Sequence, residues 1–149
     1  VATRDELYAK FGITAEAAQL FETELGTLLL GLRALEHGWP VAPDGERARA
    51  VLNEIDRSTL GQLLTMLKKH ATLEGDLEDR LYSALEARNR LTHGFYERHN
   101  FAIQTDAGRD AMKADLERLH DELFSAWRLA GAMSSIIGDI MLEQHLGGP

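Results

Sequence analysis

The chain has 149 residues, a formal net charge of −8 and no cysteine, with a pI near 5.2. That length suits one domain, spanning 1–149, with a core of its own. The lack of cysteine excludes disulfides, thiolate zinc sites and a thiol nucleophile, and suits a reducing, cytoplasmic setting. The acidity argues against a general electrostatic nucleic-acid binder, which carries a basic face. The longest uncharged runs, 25–32 and 129–138, fall short of the ~20 apolar residues of a membrane span, and no secretory signal is visible.

In chain order, 1–12 mixes polar and apolar residues and suggests a short helix or docking arm. Thr14 is placed to cap an amphipathic helix over 15–37, with Ala18, Phe21, Leu25, Leu28, Leu29, Leu32 and Leu35 as its apolar set. Gly26 and Gly31 inside it would let another backbone approach, and Gly38 would end it. A Pro/Gly linker occupies 38–45. A short helix over 46–56 follows. Ser58 or Thr59 then caps a helix ending near His70, whose terminal Lys68, Lys69 and His70 complement its dipole. Its buried side is Leu60, Leu63, Leu64 and Leu67.

Asp76 is the expected cap of the next helix, striped by Leu77, Leu81, Ala84, Leu85 and Leu91. Arg88 falls on or near that stripe, where an unpaired arginine is expensive. Asn89 and His93, four apart, share a face, and Tyr82 and Tyr96 point roughly the same way. Glu86 and Arg90 have the spacing of a helical ion pair. After 99–104, a loop or extended piece, Thr105 or Asp106 caps a last helix running to about His145. Its seam is Met112, Leu116, Leu119, Leu123, Ala126, Ala130, Met133, Ile137 and Ile140. A helix that long outreaches the others, so part of it could pack on a second subunit. Residues 146–149 form a flexible tail. With no alternating strand pattern, the expected fold is all-α: an up-and-down bundle of four main helices plus one short helix.

Arg88-Asn89-x-x-x-His93 resembles the Arg-x4-6-His signature of the HEPN superfamily, including the polar residue directly after the arginine. The specific likeness covers about 85–99. The resemblance implies a helical, usually dimeric domain. It also implies a metal-independent endoribonuclease, without cofactor, in a toxin–antitoxin or phage-defence setting. Two motifs would then face each other across a homodimer and form one composite site. Arg88 would bind and neutralise phosphate, His93 would act as general acid or base, and Asn89 would orient. Arg90, Tyr96, Arg98 and His99 are the candidate contacts to RNA. RNA brings its own nucleophile, the 2′-hydroxyl, so cleavage needs a proton carrier and a cation and yields a 2′,3′-cyclic phosphate. Arg88 and His93 are five residues apart and project about 140° from each other on an ideal helix, so the mechanism demands a dimer. Some HEPN toxins carry a tyrosine two residues after the histidine, modified by a nucleotidyltransferase antitoxin. Here Phe95 stands at that position and Tyr96 follows it, which suits Tyr96 better to packing at the interface.

Two other readings stay open. The Arg-Asn-His cluster could belong to a non-catalytic module binding a nucleotide or a protein partner, or it could close a structural polar network. His93, Glu97 and His99 lie close enough in sequence to suggest zinc, but solvated charges account for them better, and no metal is expected. Trp39 and Trp127 are core or interface aromatics.

Overall fold

The computed structural model describes residues 1–147. Among them there is no strand, and six α-helices carry the fold: α1 (Arg4–Glu36), α2 (Gly45–Asp56), α3 (Leu60–His70), α4 (Leu77–Thr92), α5 (Phe95–Arg98) and α6 (Asp106–Leu146), with one 3-10 turn at Ala102–Gln104. The all-α expectation therefore holds. No helix among the described residues is long and apolar enough to cross a membrane.

The expected arm at 1–12 is the first third of α1. Thr3, not Thr14, caps it, accepting from the Glu6 N–H. Thr14 lies inside the helix, fully buried, and its hydroxyl donates to the Lys10 carbonyl at 2.8 Å. A threonine satisfied in this way continues a helix instead of starting one. Asp44 caps α2, so the linker ends there, and Thr59 and Gln62 form a reciprocal capping box on α3.

α1 and α6 run parallel along nearly their full lengths. The Ala2 N–H donates to Asp110 at 2.7 Å near one end, Lys10 lies 3.7 Å from Glu117, and His145 contacts the Pro40 carbonyl at 3.1 Å near the other. The expected overhang of the last helix is thus filled by α1 and the turn that follows it. The close approaches at Gly26 and Gly31 are made by side chains, not backbone: an added Cβ would meet Ile55 at 3.0 Å and Ile137 at 2.8 Å. α4 runs the other way, its Arg80 bonding Ser125 and its Arg90 bonding Asp115. The core is Phe21, Leu25, Leu28 and Leu29 of α1 against Leu60, Leu64 and Leu67 of α3, Leu81 and Ala84 of α4, and Met112, Leu116, Leu119 and Leu123 of α6. Burial along α6 ends at Ala130, beyond which Ile136, Ile140, Leu142 and Leu146 are exposed. Leu146 is still helical, which shortens the expected tail, and its last residues, Gly148 and Pro149, lie outside the described ones.

Candidate functional site

α4 stops where Gly94 takes φ +119°, a backbone state that L side chains rarely adopt. The motif therefore spans a helix end, not a helix interior. His93 is the C-cap and α5 leaves in a new direction. Gly94→Ala is expected to cost about 1–3 kcal/mol from the strained backbone, read as a lower urea midpoint with unchanged slope; an unmoved midpoint would remove Gly94 from the account of the break.

Past the break, Arg90, His93, Gly94, Glu97 and Arg98 line an open cleft of about 360 Å³. His93 is exposed at its edge. Arg88 faces elsewhere. It is half-buried between α1 and α4, in a separate cleft of about 160 Å³ shared with Ala15, Gln19 and Glu22. Its guanidinium donates to Asn89 Oδ1 at 3.3 Å, so that amide oxygen turns to Arg88. Within one protomer Arg88 and His93 do not converge.

Arg90 does not pair with Glu86. Its Nη2 bridges both oxygens of Asp115, at 2.9 and 3.0 Å, and its Nε is buried without a partner. His99 Nε2 lies 2.7 Å from the other side of that carboxylate, and Arg118 reaches it at 3.4 Å. Asp115 is only 2% exposed. Burial alone raises a carboxyl pKa, but the bonds from His99 and Arg90 outweigh that here and hold Asp115 below its ordinary value. Asp115 was the residue missed by sequence reasoning. Its signal was available: it stands three residues after Met112 and beside Leu116 on a core stripe, where a carboxylate is costly unless paired.

Tyr96 is turned away from Tyr82. It packs on Phe11 of α1 with ring centroids 5.3 Å apart and meets Phe95 edge-on. Its hydroxyl pKa is raised by burial and by nearby Tyr8. Tyr82 sits at the far end of α4 beneath Lys68. His99 rests on Phe95 with centroids 4.8 Å apart.

The structure thus brings Arg90, His93 and Arg98 to one cleft, with His99 attached through Asp115, and separates Arg88. Among the described residues neither Arg88 nor Arg98 forms an ion pair with a carboxylate. In an acidic chain, this end of the bundle is a local cationic patch able to receive an anion. Compared with known proteins, the chain matches no family model, no curated protein and no solved structure.

Proposed function

We propose that this chain is a HEPN-like, metal-independent endoribonuclease acting as a homodimer. The observation that supports the reading is the exposed imidazole of His93 at a cleft lined by Arg90 and Arg98. A proton carrier beside fixed cations is what phosphodiester cleavage by a 2′-hydroxyl requires. Arg88 joins only from a second copy, since one chain turns it into another cleft. The exposed apolar residues Ile136, Leu142 and Leu146 are consistent with an unpaired surface that a second copy could cover. A toxin–antitoxin or phage-defence role, with a nucleotidyltransferase-type antitoxin as partner, follows from the motif's resemblance alone.

The expected result is cleavage of single-stranded RNA in EDTA, leaving 2′,3′-cyclic phosphate ends. His93→Ala lowers the rate by about 10²–10⁴ while the melting curve is kept. If varied RNAs stay intact and His93→Ala is harmless in cells, the enzyme reading fails. A second reading is a non-catalytic module that binds a nucleotide or a protein partner; of the Arg-Asn-His cluster it would use the cleft lined by Arg88, whose guanidinium bonds Asn89 and, among the described residues, no carboxylate, while His93 lies outside that cleft. Its mark is binding without cleavage, abolished by Arg88→Ala.

A further inference from the structure

Phe101 stands in a backbone state that suits few residues. Its φ is +62° and its ψ −10°, and among the described residues no other non-glycine has a positive φ. Glycine, asparagine and aspartate are the usual occupants of that region, and a bulky side chain there is an outlier. The turn itself demands the angle. The Asn100 N–H donates to the Glu97 carbonyl at 3.2 Å, the Ala102 N–H to the His99 carbonyl at 2.8 Å, and the Gln104 N–H to the Phe101 carbonyl at 3.0 Å. Arg109 fastens the far side by holding the Ile103 carbonyl at 2.9 Å. These bonds fix the backbone at residue 101, and none of them needs a phenyl ring.

The core does not use the ring either. Phe101 is 70% exposed, lies outside the core and the residues packed on it, and pairs with no other aromatic among the described residues. A solitary exposed apolar residue is ordinary. An exposed aromatic held in a strained backbone is not, because such strain clusters where a ligand is bound. The location names the ligand. Glu97, whose carbonyl closes the turn before Phe101, lines the cleft with Arg90, His93 and Arg98. The flanking Arg98, Asn100 and Gln104 are polar and exposed, so the ring protrudes alone. A protein contact of any strength surrounds its anchor with further surface that excludes water. A lone planar ring beside an unpaired arginine instead suits a nucleic-acid single strand, whose phosphates meet the cation and whose unpaired base takes the aromatic face.

We propose that Phe101 is a base-stacking platform for single-stranded RNA held at the His93 cleft. The proposal rests on the ribonuclease reading above and adds the element that recognises the strand. The ring stacks on one unpaired base, and a neighbouring phosphate lies against Arg98. Every base has a face to stack, so the platform sets no sequence. A duplex keeps its bases inside and offers the ring nothing, so the platform selects single strands. The contact is the same before and during bond cleavage. It therefore contributes to affinity and not to the rate of the chemical step.

The test uses the full chain and a single-stranded 2′-O-methyl oligoadenylate, which keeps bases and phosphates but has no free 2′-hydroxyl to attack phosphorus. Phe101→Asn suits the left-handed backbone and removes the ring. It should raise the melting temperature by about 2–4 °C as strain is relieved, yet weaken probe binding by about 5–150-fold. On cleavable RNA it should raise KM and keep kcat. Phe101→Trp keeps a stacking face. It should bind the probe as tightly as the unmodified chain, and its added indole emission should be quenched on binding, beyond any change at Trp39 and Trp127. Probe affinity unchanged in Phe101→Asn, or lost equally in Phe101→Trp, overturns the proposal, and cleavage by the unmodified chain then spares the ribonuclease reading. A lower melting temperature in Phe101→Asn also overturns it, by making the ring a packing element. An unmodified chain that neither binds the probe nor cuts RNA overturns both.

Discussion

Gly108→Ala is expected to destabilise the protein, although alanine is the better helix former. Gly108 lies in the first turn of α6, where its N–H donates to the capping Thr105 hydroxyl at 3.0 Å. The 3-10 turn folds back over it. A Cβ built at Gly108 would stand 1.9 Å from the Ala102 carbonyl oxygen and 2.6 Å from its carbon. Those atoms are backbone and cannot rotate aside. The helix-propensity gain of about 1 kcal/mol is therefore set against overpacking worth about 1–3 kcal/mol, with the contact short enough to place the cost at the upper end. The turn must also move, and it is tied to the site: the Ala102 N–H donates to the His99 carbonyl at 2.8 Å, and Arg109 holds the Ile103 carbonyl at 2.9 Å. The expected outcome is a melting temperature lower by several degrees, at about 2–4 °C per kcal/mol, with disturbed His99 signals. Gly12→Ala and Gly138→Ala are the controls. Both lie inside long helices with nothing within 4 Å of the added carbon, so each should raise stability by up to about 1 kcal/mol. If Gly108→Ala melts with those two, the packing of the turn on α6 is not as described.

The contrast between these glycines bears on what could be read from one dimension. Helices α3, α4 and α6 were legible because their apolar residues recur at helical spacing over two turns or more and face one core. Thr14 misled because a threonine before an apolar run has the composition of a cap, while its satisfaction by the Lys10 carbonyl is a matter of geometry. Gly94 is a similar case. A glycine four residues before a basic stretch carries no mark of a positive φ, yet that angle ends α4 and separates His93 from the helix. At the site, local spacing suggested Glu86 for Arg90. The distant Asp115 prevailed because a buried carboxylate has no water to compete for the bond, whereas an exposed helical pair is worth only about 0.2–0.5 kcal/mol. Arg88 and His93 were expected to diverge on one helix, and they do.

Arg90→Met is expected to be among the most destabilising single changes on this face, and adding Asp115→Leu is expected to undo most of the damage. Arg90 supplies two contacts to a carboxylate that is 2% exposed. Removing it leaves Asp115 held by His99 and the long contact from Arg118 alone. Removing one partner of a fully buried pair costs about 3–5 kcal/mol; the Arg90 side chain is 38% exposed, so water can reach part of the space it leaves, and with the surviving His99 bond the cost falls below that range. In the double variant no buried charge remains, and methionine and leucine can pack along the α4–α6 seam, so the two changes should be strongly non-additive in denaturant melts. Acid gives an independent check. The folded-state pKa of Asp115 lies below its ordinary value, so its stabilising contribution is complete above the unfolded pKa of about 3.9 and is lost as pH falls through the lower folded value. The stability gap between the unmodified chain and Asp115→Asn should accordingly be widest above that pH and close in stronger acid. A double variant no more stable than Arg90→Met would mean that the pair contributes stability an apolar replacement cannot supply.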